Sequence, residues 1–263
     1  PEETISLCFF PYDYKWKNEN TLTFYAPGKK GLYIVNYDVT SKKIMSHFML
    51  ENGAANQVVS NQGNAIAWLK DNNIFITDTS GKVIQVTNDT EGIVNGSDYT
   101  HRQEFGIDKG MWWNPAASQL AYYRKNETMV TDYPLVQFDT RVAEVKNIKY
   151  PMAGMKSEEV TLVVYDVTSG KKVEIQTGEP KEQYLTQITW DPTGKFVYIG
   201  VLNRDQNHLK LNKYDVANGK LVATLFEEKS TKWVEPQNPL TFLPNGKEFL
   251  YQSERDGFNQ LFL

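Results

Sequence analysis

The chain has 263 residues, with 40% apolar and 23% charged side chains and a net charge of −4. That is enough length and apolar content to bury a sizeable core, as one large or two small domains. The interspersed, slightly acidic charge excludes an electrostatic case for nucleic acid or an anionic membrane, and the single cysteine, Cys8, excludes an internal disulfide and a cysteine-built metal site.

The chain opens at Pro1 with neither Met nor a signal-peptide pattern and stops on the apolar Leu263, so it reads as a piece of a longer protein. No apolar run approaches the ~20 residues of a membrane-spanning helix. Residues 32–39 (LYIVNYDV) are β-branched and aromatic and predict a strand, followed through YDVTSKKI (37–44) by a turn and a second strand. VSNQGNAIAW (59–68) places a turn between two strands. Three glycosylation sequons begin at Asn88, Asn95 and Asn126, a pattern common by chance.

Residues 98–115, DYTHRQEFGIDKGMWWNP, pass from a polar run into an aromatic one. Arg102, Gln103 and Glu104 stand side by side just before a core strand. From the residues alone this is either a solvated turn or a pocket wall that presents a carboxylate to a charged ligand. Asp98 and His101 are spaced to share a helical face, but no Gly-x-Ser-x-Gly nucleophile elbow exists in the chain, so His101 reads as structural. WNPAASQLAY (113–122) again predicts strand, turn, strand.

Residues 125–151 carry strand-like pieces of their own. VTLVVYDV (160–167), FVYIGVL (196–202) and YDVANGKLVATL (214–225) predict further strands, and FLPNGKEFLY (242–251) a last hairpin. The carboxylate pairs Glu158–Glu159 and Glu227–Glu228 read as solvated turn residues. His47, His101 and His208 form no metal-ligand pattern, and no glycine-rich phosphate cradle is present. The sequence is all-β.

Two patterns repeat. The strand-turn-strand pattern begins at Val59, Trp113, Trp190 and Phe242, spacings of 54, 77 and 52. The Tyr-Asp turn recurs at Tyr37, Tyr165 and Tyr214, the last two 49 apart. A period of about 50 with two hairpins per unit predicts four-stranded propeller blades, about five over this length. The long spacing holds one period plus the insertion at 125–151. An insertion of that size within a regular repeat is more often functional than accidental.

DYTHRQEFG (98–106), KGMWWNP (109–115), YPMAG (150–154) and LTFLPNGKEFLYQSERDG (240–257), with the arm-like insertion among them, together resemble the N-terminal β-propeller region of the dipeptidyl peptidase IV family, in the prolyl oligopeptidase group of serine peptidases. TGEPKEQYLT (177–186) and WVEPQNPLTFLP (233–244) resemble its prolyl tripeptidyl peptidase branch. The resemblance covers essentially the whole chain. It implies a propeller of about eight blades followed by an α/β-hydrolase domain. Residues 1–263 would be a partial propeller, and the catalytic Ser, Asp and His would lie in that domain, outside this chain. Taken alone, the chain should be inactive.

The family places two adjacent glutamates at this point, which bind the free α-amino group of a peptide. Aligned on Asp98-Tyr99 and Phe105-Gly106, the pair falls on Gln103 and Glu104. The second glutamate is kept, and the first is a neutral amide that still accepts a hydrogen bond but adds no charge. An ammonium donates three hydrogen bonds, and a carboxylate accepts them with charge assistance. Such an anchor fixes which bond reaches the nucleophile.

Arg102 reads as a counter-ion to the local carboxylates or as a solvated charge. Trp233 reads as an aromatic wall of the pocket or as blade core. The arginine that the family supplies from an earlier blade has no counterpart in FYAPGKKGLYIV (24–35), which holds only Lys29 and Lys30.

The resemblance further implies peptide substrates with a free N-terminus and a nearby proline, release of di- or tripeptides, and no cofactor or metal. It also implies a homodimer through the 125–151 arm and a periplasmic, cell-surface or secreted setting. A different class of function stays open beside it: a non-catalytic propeller that binds peptide or protein.

Overall fold

The structure, a computed structural model, describes residues 10–263, so Cys8 lies outside the described residues. The chain divides into two compact units, Pro1–Asn88 and Asp89–Leu263.

The first unit holds two four-stranded antiparallel sheets. One is β1 (Tyr12–Trp16), β2 (Thr21–Gly28), β3 (Gly31–Asp38) and β4 (Lys43–Met49), and the other is β5 (Ala55–Val59), β6 (Ala65–Lys70), β7 (Asn73–Asp78) and β8 (Val83–Gln85). Each runs in chain order from one edge to the other, as a propeller blade does. Strand β6 is buried on both faces, from Ala65 to Leu69. Ile34 and Phe48 of one sheet pack with Ile66 and Trp68 of the other, and the inner strands β3 and β6 lack the polar alternation of a half-solvated sheet.

The second unit begins with β9 (Ile93–Asn95), β10 (Met111–Trp113) and β11 (Gln119–Asn126). After a separate hairpin of β12 (Asp132–Gln137) and β13 (Glu144–Lys149) come β14 (Glu159–Asp166) and β15 (Lys172–Glu174). The third sheet is ordered β10-β11-β14-β15, with β9 also pairing to β11. A fourth sheet follows as β16 (Gln183–Trp190), β17 (Phe196–Asn203), β18 (His208–Asp215) and β19 (Leu221–Lys229). The fifth has three strands, β20 (Thr241–Phe242), β21 (Phe249–Ser253) and β22 (Gln260–Phe262).

Third and fourth sheets share a core in which Tyr123, Leu162 and Val164 meet Leu185, Val197 and Ile199. Fourth and fifth share another, Leu209 and Leu211 against Leu240 and Tyr251, ringed by Phe226, Phe242 and Phe249. The all-β, blade-by-blade architecture expected from the repeat is present.

The repeated Tyr-Asp turns have a common chemistry. Asp38 accepts the backbone N–H of Ser41 at 2.6 Å, Asp166 that of Ser169 at 2.8 Å, and Asp215 that of Ala217 at 2.8 Å. Each aspartate closes the turn between the third and fourth strands of its sheet. These bonds favour the ionised form and hold Asp38 and Asp166 below the ordinary carboxylate range.

Two readings of the sequence change. Glu159 opens a strand, and Glu228 is buried at the end of β19, so neither is a solvated turn residue. Lys125 and Asn126 of the insertion belong to β11, and Val130 is buried; the free-standing hairpin spans Asp132–Lys149. Among the described residues no helix is long and apolar enough to cross a membrane.

Candidate functional site

The polar run at 98–106 connects β9 to β10. Its centre, Thr100–Gln103, makes a 3-10 turn whose backbone is left-handed at His101 (φ 49°, ψ 28°) and Arg102 (φ 56°, ψ 31°), and φ stays positive at Gln103 (62°) and Phe105 (58°). The right-handed helical face expected for Asp98 and His101 is therefore not formed. Left-handed backbone costs a non-glycine residue roughly 1–2 kcal/mol, so neighbours must impose this run. Thr100 Oγ1 donates to Ser97 O at 2.9 Å, and the Glu104 N–H donates to His101 O at 3.1 Å.

His101 is the buried peg. Its Nε2 accepts the backbone N–H of Leu185 in β16 at 3.2 Å, and its ring packs edge-on against Tyr184 at 5.2 Å and Tyr123 at 6.2 Å. Burial, helped by nearby Lys125, pushes its pKa down to about 3. Glu158 Oε1 lies 3.8 Å from Nδ1, close enough for an ion pair if the ring were charged. Because Nε2 must keep its lone pair to accept from Leu185, the ring is neutral with its proton on Nδ1.

With His101 turned inward, the turn sends the next side chains outward. Glu104, in extended backbone (φ −69°, ψ 164°), lines a cavity of about 290 Å³ together with Arg102, Glu158, Glu182, Tyr184 and Arg204. Arg102 lies over the ring of Tyr150 at 4.0 Å. Arg204 Nη1 donates to the Tyr184 hydroxyl at 2.9 Å, and Glu182 Oε1 accepts the Ser157 N–H at 3.2 Å. Three carboxylates against two guanidiniums and a neutral imidazole leave the cavity net negative, and both guanidiniums are occupied by aromatic side chains. Such a wall can accept an ammonium. Among the described residues no group of three or more His, Cys, Asp or Glu side chains is placed to hold a metal ion.

The family model of the dipeptidyl peptidase IV N-terminal region matches residues 17–263. The chain belongs to that family. Among solved structures, a Bacteroides ovatus protein of the dipeptidyl aminopeptidase IV type superposes with a TM-score of 0.82 at 40% identity, covering 95% of this chain and 34% of that one. Porphyromonas gingivalis dipeptidyl peptidase 4 superposes with a TM-score of 0.74 at 25% identity, covering 96% and 36%. Among curated sequences, Probable dipeptidyl-aminopeptidase B of Talaromyces marneffei is 30% identical over 207 residues, which are 70% of this chain and 23% of that protein. The chain thus spans about a quarter to a third of the length of these relatives.

Within this dipeptidyl peptidase IV N-terminal region, the residues singled out by sequence divide. Arg102 and Glu104 share the cavity, and Arg102 is stacked rather than merely solvated. Gln103 is exposed and is not part of the cavity wall. Trp233 is 59% exposed, which overturns the blade-core reading, and it lines a second cavity instead of the one at Glu104.

Sequence reasoning missed Glu158, Glu182, Tyr184 and Arg204 as wall residues. They come from the segment before β14, the start of β16 and the loop after β17, far apart in sequence, so no local spacing could join them. TGEPKEQYLT, noticed only as a resemblance, does contain two of them.

Proposed function

We propose that this propeller binds the free α-amino group of a peptide at Glu104 and thereby sets which bond reaches a serine nucleophile on an α/β-hydrolase domain of the same protein. The whole protein is then a serine exopeptidase that releases di- or tripeptides after proline. The observation that carries the reading is the imposed left-handed turn: buried His101 fixes the backbone, and the carboxylate that follows faces a net-negative cavity. Backbone strain held in place by packing is characteristic of binding sites.

With Gln103 neutral and outside the wall, Glu104 supplies the charge for the amine, assisted by Glu158 and Glu182. A neutral first position fits a pocket rearranged for tripeptide release.

The test compares Glu104→Gln with the native full-length protein on Xaa-Pro and Xaa-Yaa-Pro chromogenic substrates, each with a free and an acetylated N-terminus. The expected result is a fall of roughly 10- to 100-fold in kcat/KM on the free-amine substrate, the size of one lost charge-assisted hydrogen bond. The acetylated substrate, poor from the start, should respond little. Equal losses on both would exclude Glu104 as the amine anchor.

A further inference from the structure

A second cavity, of about 460 Å³, opens between the end of β19, the loop at 230–237 and the β21–β22 turn. Glu228 forms part of its wall and is only 8% exposed. One carboxylate oxygen, Oε2, accepts the Ser253 hydroxyl at 2.6 Å. No ion pair between Glu228 and a cationic nitrogen is formed among the described residues, the neighbouring Lys210 and Lys229 pairing with Glu227 instead. A carboxylate has about four acceptor sites, so Glu228 keeps capacity for a further donor beside Ser253.

The basic side chains of the wall are engaged elsewhere. Lys229 pairs with Glu227 at 3.3 Å, and the Arg255 guanidinium lies over the rings of Phe262 at 3.9 Å and Phe226 at 4.7 Å. Lys232 reaches only the Trp233 indole, at 5.9 Å. Two more carboxylates, Glu235 and Glu254, stand exposed at the rim. Three carboxylates and three cations thus line the cavity, but none of those cations is paired with Glu228.

A metal ion is a poor occupant, since no cluster of three ligating side chains exists among the described residues. The Trp233 indole instead suits an organic cation with an alkyl stem: aromatic faces attract ammonium and guanidinium groups and cover methylenes.

We propose that this cavity binds the side chain of a lysine or arginine of a peptide, its cationic head on Glu228 and its stem against Trp233. The site stands apart from the amine anchor. The two cavities adjoin, because the Val234 N–H donates to the Gln206 carbonyl at 2.7 Å while Gln206 lines the cavity at Glu104.

The test uses the full-length protein and small blocked probes, Nα-acetyl-lysine amide and its uncharged analogue Nα-acetyl-norleucine amide, titrated by calorimetry. Neither probe carries a free α-amine, so failure of the amine-anchor reading leaves this experiment intact. Saturable binding of the lysine probe is expected, at least about tenfold weaker in Glu228→Gln, as for loss of one charge-assisted hydrogen bond. Affinity should be unchanged in Glu104→Gln. The amide in Glu228→Gln can still accept from Ser253, and a melting curve shows that the variant folds. If it does not, Trp233→Ala, at an exposed position, serves in its place and should weaken binding. The proposal is overturned if the native protein shows no saturable binding, if norleucine binds as well as lysine, or if the variant that folds keeps native affinity.

Discussion

Burial keeps the His101 imidazole neutral, with its pKa at about 3, against about 6.5 in an unfolded chain. Between those values the unfolded state takes up a proton that the folded state refuses, so stability falls as pH drops. The expected contribution is about 1.4 kcal/mol per pH unit below pH 6.5, flattening near pH 3. Denaturant melts at pH 7, 6 and 5 should therefore show a shallower decline for His101→Gln than for the native protein. Parallel declines would mean that the ring is accessible to protons. Glu158 Oε1, 3.8 Å away, does not reverse the sign, because Nε2 remains committed to the Leu185 amide. At this scale Glu104 was legible through its flanking Asp98-Tyr99 and Phe105-Gly106. His101 was read as structural, and it is, but the turn it pins was not legible, since its partner Leu185 lies 84 residues away.

The anchor turn is held from the other side by its glycine. Gly106 has φ 68°, and a Cβ there would stand 2.0 Å from the Gln237 carbonyl oxygen. Gly106→Ala should lower stability by more than about 1 kcal/mol through both the positive φ and the overlap, and should displace the loop at 237. Chemical denaturation measures the first effect. Kinetics on a free-amine substrate measures the second, and native values in both would show that the loop yields freely. The hairpin β12–β13 poses the opposite problem, too little packing. Val136 and Val145 are paired across its strands and 57% and 66% exposed, and Phe138 beyond them is 85% exposed. A second subunit is the proposed cover, since so many apolar side chains on a two-stranded ribbon invite one. Val136→Asp in the full-length protein is expected to shift sedimentation from dimer to monomer with an unchanged melting profile. A native monomer would remove the proposal. Sequence marked the insertion by its break in period but could not say that its first residues complete β11, because the polar run KNET carries no strand pattern of its own and Lys125 and Asn126 are held in the strand by pairing with β9 and β14.

Across the whole chain, the fold was legible because the repeat is written in turn chemistry. The same aspartate closes corresponding turns at Asp38, Asp166 and Asp215, and inner strands such as β6, β11 and β17 are buried on both faces. The cavities were not legible, because a propeller builds them from loops that one period of sequence separates. The site at Glu104 draws on residues from 101 to 206, and only folding brings them together.

Tyr150 joins two parts of this arrangement. Its ring packs on Tyr133 at the root of the hairpin, 5.6 Å between centroids, and carries the Arg102 guanidinium at 4.0 Å. Grip on the hairpin and occupancy of the anchor cavity therefore bear on a single aromatic ring. Where two binding events restrain one group, each changes the free energy of the other by the same amount. If the hairpin joins two subunits and the cavity takes a peptide, as proposed, the two events would be reciprocal: each would change the affinity of the other by one common factor.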